Sequence, residues 1–295
     1  MPRCASMSSG GEVLYLNGRY VPAGEAVVSV DDRAFLFADA CYEVTLLVDG
    51  VPIALDRHLA RLQRGLDELR IEFDAQTLVA IHHELIARNG LESAPMARVY
   101  VQVSRGVAPR RHAFPEGATP TVLVRASAIA GPSDDLLYVG TRAITAPDER
   151  WARVDIKTTG LLANVLAEQA AIDAGVDDVI LHRGELVTEG SHTNVWGLVD
   201  GQVVTAPADH RILPGVTRGI MLELARDGGI DVDEREWTLR ELGDASEVFM
   251  SSTTAGVRPI VEVDGRPVGS GRPGPITRQL QQLYQTYLDQ AVAPI

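Results

Sequence analysis

Val154-Asp-Ile-Lys157-Thr-Thr-Gly-Leu-Leu-Ala-Asn164 contains the only lysine in a chain of 295 residues. The remaining 26 of its 27 cationic side chains are arginine, so solubility and ion pairing are served without lysine. Arginine cannot attack a carbonyl carbon and form an imine. A lysine amine can, once burial or a nearby positive charge has partly deprotonated it. Composition alone leaves open a stray surface lysine in an arginine-rich chain, and the neighbouring residues favour a functional one. Val154 and Ile156 alternate with Asp155 and Lys157, the pattern of a half-buried strand. Thr159 is expected to cap a helix in which Leu161, Leu162, Val165, Leu166, Gln169 and Ile172 recur at helical spacing as far as Gly175. Such a lysine, between a strand end and a helix start, is well placed to face a cofactor.

The length allows one large domain or two modest ones, and 45% hydrophobic residues suit a globular core. A net charge of −13 argues against nucleic acid or an anionic membrane as partner, because both need a positive face. The two cysteines, Cys4 and Cys41, make no disulfide framework, so a reducing, cytoplasmic setting is expected. Residues 1–12 carry Ser and Gly without an apolar stretch and are expected to be a disordered tail.

Outward from Lys157, five dipeptides predict tight hairpins: Asn17-Gly18, Asp49-Gly50, Arg183-Gly184, Asp200-Gly201 and Asp264-Gly265. Each is flanked by apolar or alternating runs, so largely antiparallel sheets are expected. Asp56 is expected to cap a helix with Leu59, Leu62, Leu66 and Leu69 on one face. Asp74 is expected to cap another with Leu78, Ile81, Leu85 and Ile86. Further helices are predicted over 218–227, with Thr217 as cap, and over 276–291, with Ile276, Leu280, Leu283, Tyr284 and Tyr287 facing inward. Ala130-Gly-Pro-Ser-Asp-Asp135 is small, polar and turn-forming, as a linker should be. The expected organisation is α+β: a small domain over 13–130, a linker over 131–136 and a larger domain over 137–295.

Four further stretches could carry chemistry. Val187-Thr-Glu189-Gly-Ser191-His-Thr-Asn194 sets a carboxylate beside hydroxyls; taken alone, it reads more readily as a solvated turn. Arg211-Ile-Leu213-Pro-Gly-Val216-Thr217-Arg delivers the chain into a helix start, where free N–H groups and the helix dipole suit a phosphate, although an ordinary capped helix has the same pattern. Met250-Ser-Ser252-Thr253-Thr-Ala-Gly256 is a hydroxyl cluster that could hold phosphate oxygens or only shape a turn. Ser104-Arg105 to Arg110-Arg111-His112-Ala-Phe114-Pro115 gathers arginines and a histidine in an acidic chain. That loop could receive a carboxylate, or be a surface loop with solvated charges. No spacing of Cys and His suits a metal. His82-His83 lie adjacent on a helix, the first expected in the core and the second in solvent. A P-loop and a G-x-S-x-G are absent.

Taken in order, these segments resemble the fold-type IV pyridoxal-phosphate enzymes, the superfamily of branched-chain and D-amino acid aminotransferases. The resemblance runs from about Tyr15 to Tyr287. It is carried by Asp32-Arg33-Ala-Phe-Leu-Phe-Ala38-Asp39-Ala40-Cys41-Tyr42-Glu43, the Gln102–Pro115 loop, Asp155-Ile-Lys157, Thr188-Glu189-Gly-Ser191, Leu213-Pro-Gly-Val216-Thr217-Arg218 and Ser252-Thr253-Thr254. The Arg110-x-His112 pair looks most like the D-amino acid branch. The resemblance implies two lobes enclosing pyridoxal 5'-phosphate, held as a Schiff base by Lys157. Glu189 would pair with its pyridine nitrogen and Leu213 would pack on its ring. Arg61, Val216, Thr217, Ser252 and Thr253 would hold its phosphate. Tyr42, Arg110 and His112 would receive the substrate α-carboxylate, the last two from the second subunit of a homodimer. The implied reaction is ping-pong transamination between a D-amino acid of the D-alanine type and a 2-oxo acid.

Two departures concern the side-chain pocket. Ala38-Asp39-Ala40 stands where Gly-Asp-Gly is frequent, and His192 where a small residue is common. Alternatives of the same fold are a branched-chain L-amino acid or (R)-amine transaminase and an aminodeoxychorismate lyase, none of which should need Arg110-x-His112. A cofactor-binding scaffold without turnover is the alternative from another class.

Overall fold

The computed structural model describes residues 11–293 and divides into two compact units. One runs through Ala130 and also includes Lys157–Gly160. The other comprises Gly131–Ile156 and Leu161 onward. Most of the tail expected at 1–12 lies outside the described residues.

The first unit is built on six strands: β1 (Val13–Leu16), β2 (Arg19–Pro22), β3 (Ala40–Val48), β4 (Val51–Pro52), β5 (Met96–Ser104) and β6 (Thr121–Ala128). They lie in the order β2-β1-β6-β5-β3-β4, every pair antiparallel. Val99, Val101 and Val103 of β5 are fully buried, as their alternation predicts. A short α1 (Arg33–Phe37) precedes β3; α2 (Leu55–Glu68) and α3 (Leu78–Arg88) follow it. Leu59, Leu62 and Leu66 are buried on α2, which packs on β3. Each contributes about 1.5–3 kcal/mol by leaving water. His82 is buried and donates from Nδ1 to the Leu78 carbonyl at 2.8 Å, while His83 is exposed.

The second unit holds β7 (Thr141–Pro147), β8 (Asp178–Arg183), β9 (Leu186–Gly190), β10 (Asn194–Val199), β11 (Gln202–Thr205), β12 (Val232–Glu234), β13 (Glu247–Ser252), β14 (Gly256–Val263) and β15 (Arg266–Pro267). Their order is β12-β11-β10-β13-β14-β7-β8-β9, with β15 on β14. This sheet is mixed rather than antiparallel throughout: β7 lies parallel to β8 and β14, and β12 parallel to β11. The helices are α4 (Leu162–Asp173), α5 (Val216–Asp227), α6 (Leu239–Asp244) and α7 (Pro275–Val292). Trp237, Leu242, Val195, Val248, Met250 and Ile260 form one core. Leu280 and Tyr284 are the buried aliphatic and aromatic residues of α7.

All five expected hairpins form. Both central residues have positive φ at Asn17-Gly18, Asp49-Gly50, Asp200-Gly201 and Asp264-Gly265, as a type I′ turn requires. The fifth differs. Arg183 pairs with Leu186, so Gly184-Glu185 is the central pair, and only Gly184 has positive φ. That is the φ pattern of type II′.

Several helix starts differ from expectation. The N-cap of α2 is Ala54, held in the left-handed region at φ 51°, and Asp56 sits inside the first turn. Asp74 does cap, but it caps a 3-10 turn over 75–77 that leads into α3. The cap of α5 is Gly215, and Thr217 is buried in the first turn. Leu161 rather than Thr159 precedes α4, and Val154–Ile156 form a turn instead of a strand. Val154, Asp155 and Ile156 are all buried, so the alternation does not correspond to two faces. The apolar spacing of α4 is real but faces out. Leu162 is 73% exposed, Val165 60%, Leu166 59% and Ile172 60%. Ala167 and Ala171 face inward instead, against Ile144, Val179 and Leu181.

Candidate active site

In the first unit the spine of the site is β3. Only its far end pairs with β4, through Leu47 and Val48. Along its start the edge left free is taken by Lys157–Thr159. The Tyr42 N–H donates to the Lys157 carbonyl at 3.0 Å, and the Thr159 N–H donates to the Ala40 carbonyl at 3.1 Å. The lysine backbone is therefore fixed as though it were a short strand. Its Nζ lies 4.2 Å from the centroid of the Tyr42 ring, whose π face attracts a cation. Tyr42 in turn stacks on Tyr100 with centroids 5.7 Å apart. Burial, aided by Tyr42, pushes the Tyr100 phenol up to about 12, so it stays a donor, to Gln102 at 2.7 Å.

Glu43, the next residue of β3, points to the opposite face, toward α2. It is 1% exposed and accepts from Arg61 Nε at 2.7 Å, Arg61 Nη2 at 2.9 Å and His58 Nδ1 at 2.9 Å. Burial alone would raise its carboxyl, but the guanidinium and imidazole hold it well below the usual carboxylate range. Burial lowers the affinity of His58 for a proton below its ordinary value, against the opposing pull of the bond to Glu43. Arg61, the expected phosphate ligand, is thus oriented by two bonds to one buried carboxylate.

Arg110 and His112 gather around Phe37 at the end of α1. The Arg110 guanidinium lies 5.2 Å from the Phe37 centroid and the His112 ring 5.5 Å from it. Both side chains are exposed. Ala38, the first departure, closes α1 in the left-handed region at φ 54°. Glycine enters that region freely, whereas alanine does so at about 1–2 kcal/mol. Ala40 is fully buried in β3.

The second unit carries the other expected residues. Glu189, at the end of β9, is 4% exposed. Its carboxylate accepts from the Leu213 N–H at 3.1 Å, from Asn194 Nδ2 at 2.9 Å and from Arg150. Asn194 also donates to the Leu213 carbonyl at 2.9 Å, tying that loop to β10. A side chain at Gly215 would meet Asn194 Oδ1 at 2.1 Å, so the approach to α5 requires glycine. Burial pushes the Glu189 carboxyl above its ordinary value, against the pull of Arg150 and the Leu213 amide. Val216 and Thr217 occupy the first turn of α5, where backbone N–H groups lack helical partners. Ser252 ends β13 and Thr253 begins the turn into β14. Tyr284 links the two places. It hydrogen-bonds Thr217 and sits where a Gly256 side chain would come within 3.1 Å. His192, the second departure, is exposed and meets Ser191 Oγ at 2.8 Å through Nδ1.

The sequence by itself assigns no role to Arg150, Asp148, His58 or Glu43. Arg150 is 6% exposed at its side chain and joins Glu189 to Asp148, which it holds through Nε and Nη2 at 2.8 Å each. Asp148-x-Arg150 is the only trace of this in the chain, and nothing connects it to a carboxylate 39 positions on. Glu43 is legible in principle, as a charge at the buried parity of a strand.

The chain matches amino-transferase class IV over residues 40–263 and belongs to that family. It is 37% identical to the D-alanine aminotransferase of Staphylococcus haemolyticus over 279 residues, 94% of this chain and 98% of that one. It is 39% identical to the D-alanine aminotransferase of Bacillus licheniformis over 271 residues, 91% and 94% of the two chains. Among solved structures, the T.th. branched-chain amino acid aminotransferase with pyridoxamine 5'-phosphate aligns with a TM-score of 0.85 at 27% identity. It covers 95% of this chain and 94% of that one. The family's cofactor is pyridoxal 5'-phosphate. The residues present suit it: one lysine amine for its aldehyde, a buried carboxylate for its ring nitrogen, and free helix N–H groups with nearby hydroxyls for its phosphate. No described helix is long and apolar enough to cross a membrane.

Proposed function

We propose that this chain exchanges an amino group between a D-amino acid of the D-alanine type and a 2-oxo acid. The observation that carries the reading is the single lysine, seated on β3 with its amine against Tyr42. Its relatives at 37% and 39% identity are D-alanine aminotransferases, which supports the D-amino acid class. When bound, pyridoxal 5'-phosphate supplies an electron sink for the carbanion left by Cα deprotonation. Lys157 would hold the cofactor through its amine, and that amine would move the proton of the substrate Cα as base and then as acid. Glu189, oriented by Leu213 and Asn194, keeps a proton on the ring nitrogen. Arg61, aimed by Glu43, holds phosphate with the backbone of Val216 and Thr217 and the hydroxyls of Ser252 and Thr253. Leu213 would pack on the ring.

Tyr42, Arg110 and His112 receive the α-carboxylate, and that clamp decides which enantiomer turns its Cα–H toward the lysine. Arg110 and His112 lie exposed around Phe37, where they would be offered to the second subunit of a homodimer. The exposed apolar residues of α4, and Val27, Val28, Val30 and Phe35 in the first unit, are the kind of surface a second copy covers. A cytoplasmic setting accords with Cys41, a buried free thiol raised to about 12 by burial and the nearby carboxylates.

The test is kinetics of wild type and Arg110→Ala on D-alanine, L-leucine and an (R)-amine. Losing the guanidinium costs about 1.5–3 kcal/mol of carboxylate recognition, roughly ten- to a hundredfold in kcat/KM for D-alanine. The amine, which has no carboxylate, loses little. A wild-type preference for L-leucine would reassign the enzyme to the branched-chain group.

A further inference from the structure

We propose that Arg33 is a positioning residue, setting the placement of the Arg110–His112 clamp by joining Asp39 to the backbone of that loop. The inference rests on reading Arg110 and His112 as the receivers of the substrate carboxylate. Arg33 opens α1 and is 3% exposed. Its Nε donates to Asp39 Oδ2 at 2.7 Å, its Nη1 to the Arg111 carbonyl at 2.6 Å and its Nη2 to the His112 carbonyl at 3.5 Å. One guanidinium thus holds the carbonyl between the two clamp residues and the carbonyl that follows them. The same side chain lies 4.8 Å from the Phe37 centroid, the ring against which Arg110 and His112 rest.

The anchor at the other end is rigid. Asp39 also accepts from Arg105, Nε at 2.7 Å and Nη2 at 2.9 Å. Arg105, 6% exposed, donates in turn to the carbonyls of Leu69 at 2.6 Å and Arg70 at 3.0 Å, just past α2. A chain of buried charge-assisted bonds therefore runs from the end of α2 through Arg105, Asp39 and Arg33 to the loop. Burial would raise the Asp39 carboxyl, but the bonds from Arg105 and Arg33 bring it below its ordinary value, so it stays ionised between them. The geometry of α1 serves this arrangement. Its left-handed end at Ala38 turns the chain so that the Asp39 N–H donates to the Arg33 carbonyl at 3.3 Å, bringing the carboxylate back to the helix start. By contrast, the clamp residues 110–112 are exposed and outside any strand or helix. Their placement is set by a buried side chain and not by a ladder.

Lysine at position 33 would keep a charge on Asp39 but lacks the planar fork that reaches Asp39 and both carbonyls together. The experiment is a double-mutant cycle on the holoenzyme with D-alanine, using Arg33→Lys, Arg110→Ala and both together. Arg33→Lys is expected to raise KM roughly five- to tenfold with kcat changed by less than about twofold. In the Arg110→Ala background it is expected to add less than about twofold, because a displaced clamp without its guanidinium has little left to lose. Asp39→Asn, which loosens the same bridge, goes through the same cycle and decides the matter if Arg33→Lys does not fold. If Arg110→Ala leaves the KM for D-alanine unchanged, the clamp reading is wrong and this inference falls with it. If Arg110→Ala raises KM while Arg33→Lys does not, or if the two effects multiply in full, the clamp stands and the positioning role is overturned.

Discussion

Replacing Arg150 by methionine keeps most of the volume and removes the cation that Glu189 and Asp148 share. Arg150, Glu189 and Asp148 have side-chain exposures of 6%, 5% and 0%. Breaking a buried pair by removing one partner costs about 3–5 kcal/mol, since the other charge stays behind. Here two carboxylates are left, but neither is bare. Asp148 keeps Arg183 and Thr188, each at 3.1 Å. Glu189 keeps Asn194 and the Leu213 amide. The loss should therefore fall near the lower figure, about 3 kcal/mol, read from urea unfolding of the apoenzyme. The pH dependence has a definite sign. The Glu189 carboxyl is already raised by burial, and without Arg150 it rises further. A carboxyl raised in the folded state favours folding fully below its unfolded value, and that contribution disappears as pH rises through the folded value. The penalty should then be larger near pH 8 than near pH 5. A protonated ring nitrogen can stand in for part of the missing charge, so the holoenzyme should lose less than the apoenzyme. A loss below about 1 kcal/mol, or one that is equal at both pH values, would refute the argument that this arginine neutralises Glu189.

Lys157→Ala should abolish the absorbance of lysine-bound cofactor and multiple turnovers, because no other lysine exists to replace it; Lys157→Arg should be equally inactive, since it remains protonated. Sustained turnover without added amine would show that Lys157 is not the anchor. Glu189→Gln should fold and bind cofactor but slow the first half-reaction, seen by stopped-flow with D-alanine, as the amide no longer favours a protonated ring nitrogen. Glu43→Gln should lower stability at neutral pH by loosening Arg61 and His58. Since the wild-type carboxyl is depressed, its contribution is present above the ordinary glutamate range near pH 4.3 and lost as pH falls. The melting-temperature gap between the two proteins should therefore narrow toward pH 3.

The parts legible in the sequence were those decided by neighbours a few residues apart. Asn17-Gly18 and its counterparts turn because their own backbones accept positive φ, and Leu59, Leu62 and Leu66 share a face by helical geometry alone. Helix starts are less legible, because a polar side chain near the start is not the same as a cap. Ala54, Leu161 and Gly215 hold the cap positions by backbone conformation, with no side-chain bond to reveal them. The apolar residues of α4 kept the helical period, but period does not say which face meets the sheet. Alanines pack there and the larger residues are exposed. The lysine is marked by its rarity. The pairings of Arg150 with Glu189 and of Arg33 with Asp39 carry no such mark. They join residues whose closeness is a product of the fold, and no local pattern records them.

The passage of Lys157–Gly160 along β3 has a bearing on how the chain can be cut and rejoined. Four residues leave the second unit's stretch of sequence, complete the first unit, and return. A break at Ala130 would therefore not yield two self-sufficient pieces. The leading fragment would keep Tyr42 with an unfilled strand edge, and the trailing fragment would keep the nucleophile without the strand that holds its backbone. The same dependence orders events on the ribosome, where β3, which ends at Val48, can acquire its last partner only after Lys157–Thr159 have emerged. Gene fusions, insertions and permutations should accordingly treat 13–160 as indivisible and place new ends in exposed turns such as Asp200-Gly201.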